Sequence, residues 1–117
     1  MLGKAAGKVE KKRGWKEGDV ATQDEQLTSR EEGRLFEALC TLRTPEEARA
    51  FLTDVASAKE IADLAQRLEV ATMLRSGASY LEVSHATGAS STTVSRVSKC
   101  LNGEAGGYRT VLERLDG

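Results

Sequence analysis

The residues best placed to do chemistry lie between Ser79 and Lys99. Ser90, Ser91, Thr92, Thr93 and Ser95 form a run of short hydroxyls, followed by Arg96, Ser98 and Lys99. No Asp or Glu occurs between Glu82 and Glu104, so residues 83–103 contain no carboxylate side chain to repel an anion. Short hydroxyls let a helix lie deep in the major groove of a duplex, where they reach base edges, phosphates or bridging water. Backbone N–H groups at the start of such a helix also favour phosphate. Thr and Val are mediocre helix formers, so their density here fits a surface selected for contact. The alternative is a Ser/Thr-rich helix in an ordinary bundle.

Nothing comparable suggests catalysis. His85 is the single histidine and is read as a surface or phosphate-facing residue rather than a general base. No nucleophile, base and orienting group occur as a set. Cys40 and Cys100 lack metal-ligand spacing and are expected as buried thiols on apolar helix sides. Glu31-Glu32 and Glu46-Glu47 suit helix capping and the helix dipole better than metal binding. The expectation is a non-enzyme with no cofactor and no metal.

A hydroxyl-bearing helix must be held outward by a rigid neighbour, and the surrounding residues supply one. A helix-turn-helix needs a short helix, a tight turn that tolerates positive φ, and a second helix crossing the first. Gly88 stands where the turn needs a left-handed residue. Ser84, four residues earlier, is small enough for the second helix to pass close by. Val83, Ala89, Val94 and Val97 hold the crossing, and Ala86 adds a small packing residue. Ser90 or Ser91 caps the second helix.

The rest of the chain reads as helical. Ser29/Glu32, Thr44/Glu47, Ser57/Glu60 and Ser79/Glu82 match a capping box, Ser or Thr followed three residues later by Glu, and are read as helix starts. The spacing predicts helices over about Arg30–Leu42, from Pro45 through Val55, from after Ser57 to about Arg75, and over about Tyr108–Leu115. With the helix-turn-helix this makes an all-α fold of about six helices, and no strand pattern occurs. Residues 1–26 read as a disordered basic tail and 27–117 as one domain. Trp15 is the lone aromatic of the tail, with no specific role assigned.

Charge is uneven: residues 1–19 carry +3, 20–66 carry −5 and 67–117 carry +1, for a total of −1. The middle is unsuited to a polyanion, while both ends can face one. Aromatics are only 4%, so the core rests on Leu, Val, Ala and Met. So lean a core gains from sharing apolar surface with a second copy. No apolar run nears the ~20 residues of a membrane helix. The start, Met1-Leu2-Gly3-Lys4, lacks the apolar stretch of a secretory signal, and a cytoplasmic location is expected.

Two runs together carry a family resemblance: Ala65-Gln66-Arg67-Leu68-Glu69-Val70-Ala71-Thr72-Met73-Leu74-Arg75, then Thr87-Gly88-Ala89-Ser90 with Val94 through Asn102. Over roughly Leu27 to Leu115 the chain closely resembles the YerC/YecD branch of the Trp-repressor-like proteins. The resemblance implies a bacterial cytoplasmic transcriptional regulator, expected as a repressor and nucleoid-associated when bound. It implies a homodimer whose terminal helices interlock between chains. Such a dimer reads a roughly palindromic operator in double-stranded DNA, with half-sites about one turn apart. By position, Ser90, Ser91, Thr92, Thr93 and Ser95 fall where Trp repressor meets its operator, and Ser84 falls near phosphate. Leu81 replaces a basic residue there, with Lys99, Arg75 and the tail lysines as compensation. Of the corepressor contacts, Arg96 matches one arginine, Gln66 or the adjacent Arg67 stands at the other, and Val97 replaces the glycine that makes room for the indole. The methyls of Val97 would clash with an indole, so tryptophan is not expected to bind.

The competing reading is a protein-interaction module on the same fold without DNA-binding activity. A near-neutral charge and a pI of about 5.9 favour it, since many DNA-binding domains are basic.

Overall fold

The computed structural model describes residues 23–117, in six helices. The tail residues 1–22, with Trp15 and the tail lysines, lie outside the described residues. The helices are α1 (Gln23–Leu39), α2 (Pro45–Val55), α3 (Ala58–Arg75), α4 (Tyr80–Thr87), α5 (Ser91–Leu101) and α6 (Gly107–Asp116). Among the described residues there is no strand. The described residues fall into two compact units, 23–48 and Arg49–Gly117.

Local side-chain chemistry accounts for most of the boundaries. At α3 the Ser57 hydroxyl accepts from the Glu60 N–H at 3.1 Å, and Glu60 accepts from the Ser57 N–H at 2.7 Å. At α4 Ser79 and Glu82 repeat the arrangement with the same two distances. Both are complete capping boxes, each satisfying two N-terminal donors. Hydrogen bonds to the ionised form hold the Glu60 and Glu82 carboxyls below the usual carboxylate range, the contact with the cap backbone being the stronger. At α2 the Thr44 hydroxyl accepts from the Glu47 N–H at 3.1 Å, but Glu47 reaches the N–H of Arg43 instead of Thr44, at 2.9 Å.

The Ser29/Glu32 box does not form. Ser29 and Glu32 lie inside α1, which starts at Gln23, ahead of the expected Arg30. Asp24 and Glu25 in its first turn favour that earlier start through the helix dipole. Residues 23–26, which composition places in the tail, are therefore helical. The helix also ends at Leu39 rather than Leu42. Tight i→i−3 bonds follow from Cys40, Thr41 and Leu42, and the Thr41 hydroxyl donates to the Ala38 carbonyl at 2.6 Å.

Within Arg49–Gly117, α3, α4, α5 and α6 pack on one another. Their core is Val70, Ala71, Val83, Ala89, Val94, Val97, Leu101 and Leu112. Leu68, Met73, Leu74, Ala78 and Tyr108 are half-buried against it. Compact Val and Ala side chains let the helices approach closely, and burying each Val contributes about 1.5–3 kcal/mol. Helix α6 docks through Leu112 and Tyr108, and the Arg75–Asp116 ion pair, at 3.2 Å, joins the ends of α3 and α6. Leu35 and Phe36 of α1, Val55 and Leu64, and Val111 and Leu115 of α6 stay exposed. Cys40 and Cys100, expected to be buried, are both exposed; on α5 it is Leu101, next to Cys100, that turns into the core.

Candidate nucleic-acid interface

The turn between α4 and α5 is built by its own short side chains. Gly88 ends α4 with φ +76° and ψ 4°, the left-handed region, and its N–H donates to the Ser84 carbonyl at 2.9 Å. The Thr87 hydroxyl donates to the Val83 carbonyl at 2.7 Å and accepts from the Ala89 N–H at 3.1 Å. The Ser84 hydroxyl donates to the Ala89 carbonyl at 2.7 Å, closing the turn from the other side. Ala89 is thus held at both backbone groups while its methyl is buried.

Ser90 caps α5. Its hydroxyl accepts from the Thr93 N–H and donates to the Thr93 hydroxyl, both at 3.1 Å. The N–H groups of Ser91 and Thr92 have no acceptor within the helix. Val94, Val97 and Leu101 turn into the core, each a turn beyond the last. The other side carries Ser91, Thr92, Ser95, Arg96 and Lys99, all exposed, with Thr93 and Ser98 half-buried at its edges. No acidic residue lies in the first turn of α5, and among the described residues no ion pair involves Arg96 or Lys99. Two cations and several hydroxyls therefore share one exposed face.

The structure separates the expected site residues into two groups. Ser91, Thr92, Thr93, Ser95, Arg96 and Lys99 share α5, with Ser90 at its cap. Ser84 is half-buried beneath the turn, and its proton is engaged by Ala89. Ala86, expected in the packing, is exposed instead and lines a shallow apolar groove with Met73, Leu81, Glu82 and His85. No group of three or more His, Cys, Asp or Glu among the described residues could hold a metal ion.

Two contacts to this motif are not visible in the spacing. Gln66 of α3 donates from Nε2 to the Thr87 carbonyl at 3.1 Å. Arg109 of α6 donates from Nη1 to the Leu101 carbonyl at 2.6 Å, placing a cation at the negative end of α5. Each joins the motif to a helix outside it. Arg67 is exposed on α3, and burial beside Cys100 raises the Tyr108 hydroxyl above its ordinary pKa.

A helix-turn-helix with an exposed, acid-free second helix, carried on an all-α frame, defines the class. The family model of the Trp repressor protein matches residues 31–116, and the chain belongs to that family. It is 42% identical over 93 residues to the protein YerC of Bacillus subtilis (strain 168), covering 80% of this chain and 89% of YerC. The crystal structure of a TrpR-like protein from Eubacterium eligens superposes with a TM-score of 0.71 at 43% identity, covering 78% of this chain and 94% of that one. A Staphylococcus aureus protein of the same fold gives a TM-score of 0.72 at 35% identity, covering 82% and 96%.

Proposed function

We propose that this protein is a sequence-specific DNA-binding transcriptional regulator, a repressor that binds a palindromic operator as a homodimer in the bacterial cytoplasm. The observation that carries this reading is the exposed face of α5, displayed by the left-handed turn at Gly88. Membership of a family of regulators supports it. Ser91, Thr92 and Ser95 are the groove-facing hydroxyls. Thr93 adds its hydroxyl from the edge, and Ser90 fixes the start of the helix against phosphate. Arg96 supplies the long donor to a base edge or phosphate, and Lys99 contacts phosphate. Ser84 serves the interface through the turn it closes.

The second copy is argued from exposed apolar surface. Phe36 is 60% exposed and Leu115 67%, one on the first described helix and one on the last. Large apolar side chains left open at both ends of a lean fold suit an interlocked dimer.

Tryptophan is not the corepressor in this reading. Val97 is 2% exposed and fills its place in the core, while the Gln66 amide is engaged by Thr87. Titration calorimetry should give no heat at micromolar tryptophan, and a micromolar Kd overturns this point.

The test is selection of bound fragments from the native genome, followed by anisotropy titrations on the selected site. Arg96→Ala should weaken binding by about 1–3 kcal/mol and relax one position of the site. Thr92→Ala should cost less and also relax specificity. Lys99→Ala should weaken all duplexes alike and reduce the salt slope by about 1 for each phosphate no longer neutralised. Binding untouched by all three changes removes α5 from the mechanism. A wild-type protein that binds no duplex at low salt favours the protein-interaction module instead, and the 70% exposed Leu81 in the apolar groove of α4 is the observation on its side.

A further inference from the structure

The hydrogen bonds of the α4–α5 turn fall into two kinds. Those of Ser84, Thr87 and Gly88 run inside the motif, so they define the shape of the turn but not its placement on the protein. The packing of Val83, Ala89, Val94 and Val97 holds the motif down, but apolar contact is non-directional. The Gln66–Thr87 bond is different, because it joins residues 21 apart in sequence and is directional.

Its location is the hinge. Thr87 is the last residue of α4, and its carbonyl has no partner within that helix. Gly88 follows at φ +76°, and a methyl group added there would lie 4.0 Å from Gln66 Nε2. The amide therefore lies over the point where the backbone changes direction. Helix α5 has 11 residues, about 16 Å of lever. A tilt of about 5° at the turn moves the far end of such a lever by about 1.4 Å, enough to misplace a hydrogen-bonding side chain.

We propose that Gln66 is a positioning residue: its amide clamps the hinge of the helix-turn-helix to α3 and so sets the angle at which α5 meets DNA. This rests on the DNA-binding reading above. The clamp needs a donor at position 66, because its partner is a carbonyl. It does not need an amide as such. Gln66→Ala removes the donor, Gln66→Glu keeps the size but sets a carboxylate against the Thr87 carbonyl, and Gln66→Arg restores donors at similar reach.

The readout is the ratio of affinities for the selected site and a scrambled duplex, measured well below the melting temperature. Added charge alone does not raise that ratio. Gln66→Ala should lower it about three- to tenfold, the range of one net hydrogen bond. Gln66→Glu should lower it further, and Gln66→Arg should return it to the wild-type value. Hydrogen exchange of the Gly88 amide, measured without DNA, should accelerate by a similar factor in the Ala and Glu variants and not in Arg. An unchanged ratio in Ala and Glu overturns the proposal, even where exchange rises, because the bond is then structural only. Should the Ala variant fail to fold, the Glu and Arg pair decides on the same ratio. A wild-type ratio of one sinks the regulator reading, and the positioning role with it. The exchange arm then still decides whether the clamp exists.

Discussion

An alanine at position 88 would have room for its methyl, since the nearest neighbour is the Gln66 amide at 4.0 Å. The obstacle is the backbone. At φ +76° an L-residue with a Cβ pays about 1–2 kcal/mol, because the methyl crowds its own carbonyl. Gly88→Ala is therefore expected to lower stability by about 1–2 kcal/mol, with Gly88→Asn milder because Asn visits the left-handed region more readily. Equilibrium urea unfolding measures both, and an Ala variant as stable as wild type rules out the left-handed turn. Arg96 and Gln66 show the other residue-scale contrast. The first is exposed on α5, whereas the second is half-buried with a donor already engaged.

At the scale of the element, α4 is eight residues long and could not persist alone. Its ends are held by Ser79 and Glu82 at the start, and by Gly88 with Gln66 at the finish. The Glu82 carboxyl sits below its usual value near 4.5 because the Ser79 backbone N–H donates to the ionised form. A carboxylate with a lowered folded pKa contributes stability that is present above the unfolded value and lost as pH falls through the folded one. Melting temperature should thus fall as pH drops below about 4.5, and Glu82→Gln should flatten part of that dependence. Glu60 behaves alike at α3, so the double variant should flatten the profile more. Ser79→Ala should cost about 1 kcal/mol at neutral pH. Thermal melts from about pH 3 to pH 7 check all of these, and an acid limb unchanged in the double variant would refute the assignment.

At the scale of the molecule, the described core is eight small or medium apolar side chains, while Phe36, Leu115 and several others stay exposed. Light scattering should return roughly twice the 12.6 kDa of one chain if the dimer reading holds. Phe36→Glu should shift the mass to that of one chain and weaken operator binding, because paired half-sites need paired α5 helices. A wild-type mass of 12.6 kDa at micromolar concentration would refute the dimer.

Interactions within about four residues of sequence are legible from the chain by itself. The caps at Ser57 and Ser79, the stop after Arg75, the glycine at the turn and the cap at Ser90 each join near neighbours, so spacing reveals them. Periodicity likewise places Val83, Ala89, Val94 and Val97 inside, which leaves the hydroxyls of α5 outside. A local pattern also misleads where two outcomes compete: Ser29 and Glu32 have cap spacing but lie within a helix already begun at Gln23. Tertiary structure alone decided the exposure of Cys40, Cys100 and Ala86. It alone brought Gln66 to Thr87 and Arg109 to the end of α5. Those pairings depend on how whole helices cross, and crossing angles are set by the summed packing of many side chains rather than by any short stretch of residues.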